Sequence, residues 1–164
     1  RLAETWMKVG VNARVHELLQ AVLKEDPGHY QAQNDLAEIY IVNKDWKSAE
    51  STYRAILQSD PYNLVASNNL AMILIRQNQD PFLSLEVIQS VMKARKDVNW
   101  KALPAEFLDT LGRVYMFAGQ KEVWADMRMI FEDGCRRYPR HPRLWYYIGV
   151  SFENQGAAPQ ARES

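Results

Sequence analysis

The chain has 164 residues, enough for one continuous core. With 47% hydrophobic and 24% charged residues it has the composition of a globular domain, which argues against disorder of the chain as a whole. Its 20 basic and 20 acidic residues balance, so the excess of Lys and Arg that marks a phosphate-binding face is missing.

Self-similarity organises the chain. The first unit, residues 1–29, carries Leu2-Ala3 followed by Trp6, then a turn expected at Gly10, then Val15, Leu19 and Pro27. The second, 30–63, carries Leu36-Ala37 followed by Tyr40, a turn at Lys44, then Ala49, Tyr53 and Pro61. Pro27 and Pro61 each follow an Asp. The third, 64–104, has Leu70-Ala71 followed by Leu74 and a turn at Asn78. A new helix start follows, with Asp80 as cap and Pro81 in the first helical position. Val87, Ile88, Val91 and Met92 lead into an insertion from Lys93 to Lys101, whose Trp100 either contacts a partner or folds back over the neighbouring hairpin. Pro104 closes the unit.

The fourth unit, 105–141, has Leu111-Gly112 followed by Tyr115 and a turn at Gly119. Its second helix is predicted from about Glu122 to Arg137, with Gly134 either permitting a close contact or ending the helix early. The fifth, 142–164, has Ile148-Gly149 followed by Phe152, a turn at Gly156 and the opening of a further helix at Ala161. Its stop just there points to a fragment, or to further repeats beyond Ser164. Successive large aliphatics are 34, 34, 41 and 37 residues apart. In each unit the tiny residue lets two helices approach, and the residues three and four away share its face and fill the contact. Proline ends the hairpin because it cannot continue a helix interior. Neither helix of a pair can bury its apolar stripe alone, so the pairs must stack.

This pattern resembles the tetratricopeptide repeat family, whose period of about 34 residues carries Trp-x2-Leu-Gly-x2-Tyr, then Ala-x3-Phe, then Pro. Trp145-x2-Ile148-Gly149-x2-Phe152 comes close to the full first half, and five matches in phase cover nearly the whole chain. The resemblance implies an all-α, right-handed superhelical solenoid of antiparallel helix pairs, about nine to ten helices forming one domain over residues 1–164. The run Asn68-Asn69-Leu70-Ala71, with Leu108-Asp109-Thr110-Leu111-Gly112, is similar to bacterial members, which serve secretion, envelope or surface-polysaccharide assemblies.

Little in the chain suggests catalysis, and no enzyme activity, metal or cofactor is expected. His16, His29 and His141 lack metal-ligand spacing, and the glycines form no phosphate loop. Cys135 is the lone cysteine, which excludes an internal disulfide, and its place on an apolar helix face reads as a buried thiol. Glu25-Asp26 and Glu132-Asp133 read as solvated helix-end groups, and Met72, Met116 and Met127 mostly as core. No run approaches the ~18 apolar residues of a membrane span. No signal peptide is visible, and cysteine usage favours a cytoplasmic over a periplasmic setting only slightly.

The function implied is a scaffold binding a protein or peptide, with no nucleic acid and with self-association left open. The first helix of each pair lines the concave groove, and helical geometry aims Asn34, Glu38, Ile41 and Val42 there from the second unit. Asn68, Asn69, Met72 and Arg76 follow from the third, Asp109, Thr110, Arg113 and Met116 from the fourth, and Tyr146, Tyr147, Val150 and Glu153 from the fifth. Asparagines there both donate and accept, which suits gripping an extended main chain, and Asn69 holds the rung position just before the aliphatic. The Lys and Asn set of a terminal-carboxylate clamp is absent, while Arg76 and Arg113 can still pair with an acidic ligand. Two other scaffold readings stand beside this one. One is a docking or regulatory arm of a larger enzyme or envelope assembly. The other is an RNA-processing scaffold of half-tetratricopeptide type, for which Phe152 falls one residue too late after Trp145. A pentatricopeptide RNA reader would need a basic groove.

Overall fold

In the computed structural model, residues 2–77, 80–94, 103–119 and 124–154 are described, with the side chains of 2–12, 94, 124–126 and 154 excepted. Eight α-helices run through the described residues. They are α1 (Leu2–Glu25), α2 (Tyr30–Val42), α3 (Trp46–Ser59), α4 (Leu64–Arg76), α5 (Pro81–Ala94), α6 (Ala105–Phe117), α7 (Trp124–Arg137) and α8 (Pro142–Asn154). Consecutive helices pack together along the chain, and α4–α6 and α6–α8 contacts stack the first helices of successive units.

The turns explain the sequence repeat. In Asp26-Pro27-Gly28-His29, His29 N–H donates to the Asp26 carbonyl and the Asp26 carboxylate accepts from Gly28 N–H. Asp60-Pro61-Tyr62-Asn63 reproduces both bonds. The last residue of each turn then caps the next helix: His29 Nδ1 accepts from Ala32 N–H at 3.2 Å and Asn63 Oδ1 from Ala66 N–H at 2.9 Å. Within a hairpin, Lys44 and Gly119 turn the chain at φ +60° and +63°.

The expected count of nine to ten helices becomes eight among the described residues, because α1 runs unbroken through Gly10. The corresponding turn in the second unit is followed by Asp45, whose carboxylate accepts from Ser48 N–H. Val11 occupies Asp45's place in the first unit and has no acceptor to cap a new helix. The second helix expected at the end of the fifth unit lies outside the described residues.

Two cores follow from the stacking. One joins α2, α3 and α4 through Ala37, Ala49, Tyr53, Ile56, Leu70 and Leu74. The other joins α5 to α8 through Ile88, Phe107, Leu111, Phe131, Leu144 and Tyr147, with Ala71 reaching in from α4. Burying each large side chain contributes roughly 1.5–3 kcal/mol. Gly134 permits the close contact: a Cβ built there would meet Leu108 Cδ1 at 2.8 Å and Leu144 Cδ1 at 3.3 Å, and α7 continues past it. Cys135 is buried beside it, and burial with the nearby Glu132 charge pushes its thiol up to about 11. The methionines divide, with Met127 buried and Met116 exposed.

Candidate functional site

Of the residues expected in the groove, Glu38, Val42, Arg76, Met116 and Tyr146 are exposed, Asn68, Asn69, Met72, Asp109 and Arg113 are half-buried, and Asn34, Thr110 and Tyr147 are buried. On α2, Asn34 is only 8% exposed. Its Nδ2 donates to Glu38 at 3.4 Å, and its Oδ1 is buried without a donor among the described residues. On α4, Asn68 Nδ2 donates to Asn69 Oδ1 at 3.3 Å, and Asn68 Oδ1 is likewise buried without a donor. Asn34 and Asn68 hold the same place in successive units, two residues before the aliphatic. A buried amide oxygen left without a donor costs about 1–3 kcal/mol, so a repeated pair of them calls for an explanation.

Asn69, the expected rung, is occupied. Its Nδ2 donates to the hydroxyl of buried Tyr53 at 2.9 Å, tying α4 to α3. Burial pushes the Tyr53 phenol up to about 12, with the Glu38 charge adding to it and the Asn69 bond opposing.

Between α2 and α4 the chain forms an open concavity of about 470 Å³. Ile41, Val42, Met72 and Trp46 give it apolar walls, and Lys44 and Arg76 stand among the lining residues. The Arg76 guanidinium lies over the Trp46 ring, 5.8 Å from its centroid. Val42 is 68% exposed. Trp46 and Lys44 belong to this site although sequence spacing does not select them. Trp46 opens the second helix of its pair, and a lysine is not a usual turn residue.

Farther along, Asp109 accepts from Arg113 at 3.1 Å and from Arg143 at 2.6 Å. The Tyr147 hydroxyl donates to the same carboxylate at 2.9 Å. Burial and the Asp109 contact hold the Tyr147 phenol well above its ordinary range. Tyr147 is therefore a core residue at 2% exposure, with only its neighbour Tyr146 presented to solvent, and Thr110 is buried as well. Both positions depart from the expected groove lining, Tyr147 because α8 packs on α6 with the tyrosine against Gly112 and Asp109. Trp100 lies outside the described residues.

Between α3 and α5, a second cleft of about 330 Å³ is lined by Leu57, Leu83 and Val87 with Arg54 and Glu86 among its polar groups. Among the described residues no group of three metal-ligating side chains forms, and no helix is long and apolar enough to cross a membrane.

Residues 12–61 match the tetratricopeptide repeat model. No curated protein matches the chain in sequence. Several solved structures share its fold. YrrB, described as a tetratricopeptide protein with an unusual peptide-binding site, superposes with a TM-score of 0.67 at 19% identity, over 94% of this chain and 75% of that one. MamA superposes with a TM-score of 0.70 at 17% identity, over 99% and 90%. PilF of Pseudomonas aeruginosa gives 0.66 at 22% identity, over 99% and 69%.

Proposed function

We propose that this chain, which belongs to the tetratricopeptide repeat family, is a non-enzymatic scaffold that holds an extended segment of a partner protein along the inner stripes of α2, α4, α6 and α8. The five units, 1–29, 30–63, 64–104, 105–141 and 142–164, then follow a right-handed superhelix with those stripes on its concave side. The observation that carries the reading is the repeated amide, Asn34 and Asn68, whose Oδ1 atoms are buried without a donor among the described residues and meet an incoming N–H once the side chain turns outward. An extended peptide offers main-chain N–H groups along its length, and an amide on each successive unit gives it a regular set of acceptors. Exposed Val42, Met116 and Tyr146 supply apolar contact on α2, α6 and α8. YrrB, which shares the fold, is described as having a peptide-binding site, and this supports a peptide as the ligand here. Cys135 is buried with its thiol held protonated, which argues against a nucleophile.

The test is selection of binders from a random-peptide display on the immobilised chain, repeated on the double variant Asn34→Leu with Asn68→Leu. Leucine keeps the volume and removes both acceptors, so the fold holds while the selected peptides lose affinity. Peptides that bind the variant as tightly as the parent contradict the groove.

A further inference from the structure

Lys44 and Gly119 occupy the same place in their units, the left-handed residue that turns the chain between paired helices. Glycine takes φ near +60° without steric strain, whereas a residue with a Cβ is strained there. The geometry of the turn is the ordinary helix ending: Lys44 N–H donates to the Ile41 carbonyl and Asp45 N–H to that of Tyr40. Nothing in those backbone bonds asks for a lysine. Strain kept at a position where glycine would relieve it points to a role for the side chain.

Lys44 lines the concavity between α2 and α4 together with Arg76, and among the described residues no carboxylate lines it. The carboxylates of the surrounding helices are engaged elsewhere. Glu38 accepts from Asn34, Asp45 from Ser48 N–H, and Glu50 from Arg54 and Gln77. Two cations thus border apolar walls of Ile41, Val42 and Met72, with Arg76 held over Trp46. A guanidinium fixed on an aromatic face keeps its donors free for an incoming carboxylate.

We propose that this concavity is the specificity site of the groove and takes an internal acidic side chain, Asp or Glu, next to a large aliphatic residue in the bound peptide. The proposal rests on the groove reading above and adds the chemistry of the ligand. Lys44 and Arg76 pair with the carboxylate, while the aliphatic neighbour covers Met72 and Val42. A strained lysine is then maintained for binding, at the expense of the turn.

The experiment uses the whole chain and the peptides returned by random display, resynthesised with amidated C-termini and measured by fluorescence anisotropy at low and high salt. The expected peptides carry Asp or Glu beside Leu, Ile or Phe. Lys44→Gly with Arg76→Gln weakens them by about tenfold or more and flattens their salt dependence. Lys44→Gly alone raises the melting temperature while weakening binding, a combination that a purely structural lysine does not give. Neutral or basic peptides, or affinity unchanged in that double variant, overturn the acidic site and leave the groove standing if Asn34→Leu with Asn68→Leu still abolishes binding. Loss of binding on amidation shows a terminal carboxylate instead and also overturns it. Binding untouched by the asparagine variant, or a selection that returns no peptide, overturns the groove and this inference together.

Discussion

Gly112 and Tyr147 leave no room between them: a Cβ built on Gly112 would press on the Tyr147 ring carbons, far inside van der Waals contact. The fit locks α8 onto α6, and the Tyr147 hydroxyl is fastened to Asp109, which also receives Arg113 and Arg143. Phe131 of α7 backs the same ring at 5.2 Å. The small residue of the fourth unit thus serves a contact between units.

Gly112→Ala is expected to destabilise the chain by about 1–3 kcal/mol in urea unfolding, by overpacking against Tyr147. In a helix interior the same change ordinarily stabilises by up to about 1 kcal/mol. Gly149 provides the control, since nothing among the described residues lies within 4 Å of a Cβ built there. Gly149→Ala should therefore stabilise. Equal effects at the two glycines would refute the close contact.

Asn69→Ala is expected to lower stability by about 1–3 kcal/mol, because the buried Tyr53 hydroxyl loses its donor. Arg76→Gln, at an exposed position, should leave the unfolding midpoint nearly unchanged. Asn69 is consequently a poor probe of binding, whereas Arg76 is a clean one. An Asn69→Ala variant with parental stability would show that the α3–α4 tie carries no energy.

Asn63→Ala removes the cap of α4 and should cost about 1 kcal/mol in chemical denaturation. The same side-chain oxygen accepts from the Tyr30 hydroxyl at 3.2 Å, so the loss also loosens the preceding unit. A midpoint that does not move would contradict the capping role.

Alkaline pH should destabilise the fold in steps. Cys135 rises from an ordinary 9.0 to about 11 and Tyr53 from 10.0 to about 12, both chiefly by burial. Tyr115 and Tyr147 shift the same way. In each case the unfolded chain releases its proton first, so stability is full below pH 9 and falls as pH rises through the folded values. Melting temperatures between pH 8 and 11 check this. Tyr53→Phe should flatten the decline above pH 10, and a flat profile in the parent protein would contradict the burial of these groups.

Much of the fold is legible in residue spacing. Asp26-Pro27 and Asp60-Pro61 announce turns that bind their own backbones identically, and Ala37, Ala71 and Gly112 are buried where spacing places small residues. Spacing misleads at Gly10, because a turn needs a cap after it and Val11 is not one. The candidate site is legible only as far as its helices. That Asn69 is taken up inside the fold depends on Tyr53, which arrives from another helix. Tyr147 falls into the core because α8 meets Gly112, 35 residues earlier in the chain. Lys44 is invisible as a turn residue because its left-handed backbone is set by the hairpin around it and its own side chain does not favour that conformation.

The central claim is that partners bind the stripes of the first helices. Side-chain methyl NMR, with a display-selected peptide titrated into the whole chain, tests it most directly. The account predicts shifts at Val42, Met72 and Met116, with Leu57, Leu83 and Val87 of the second cleft unmoved. Shifts confined to Leu57, Leu83 and Val87 would contradict it and place binding between α3 and α5.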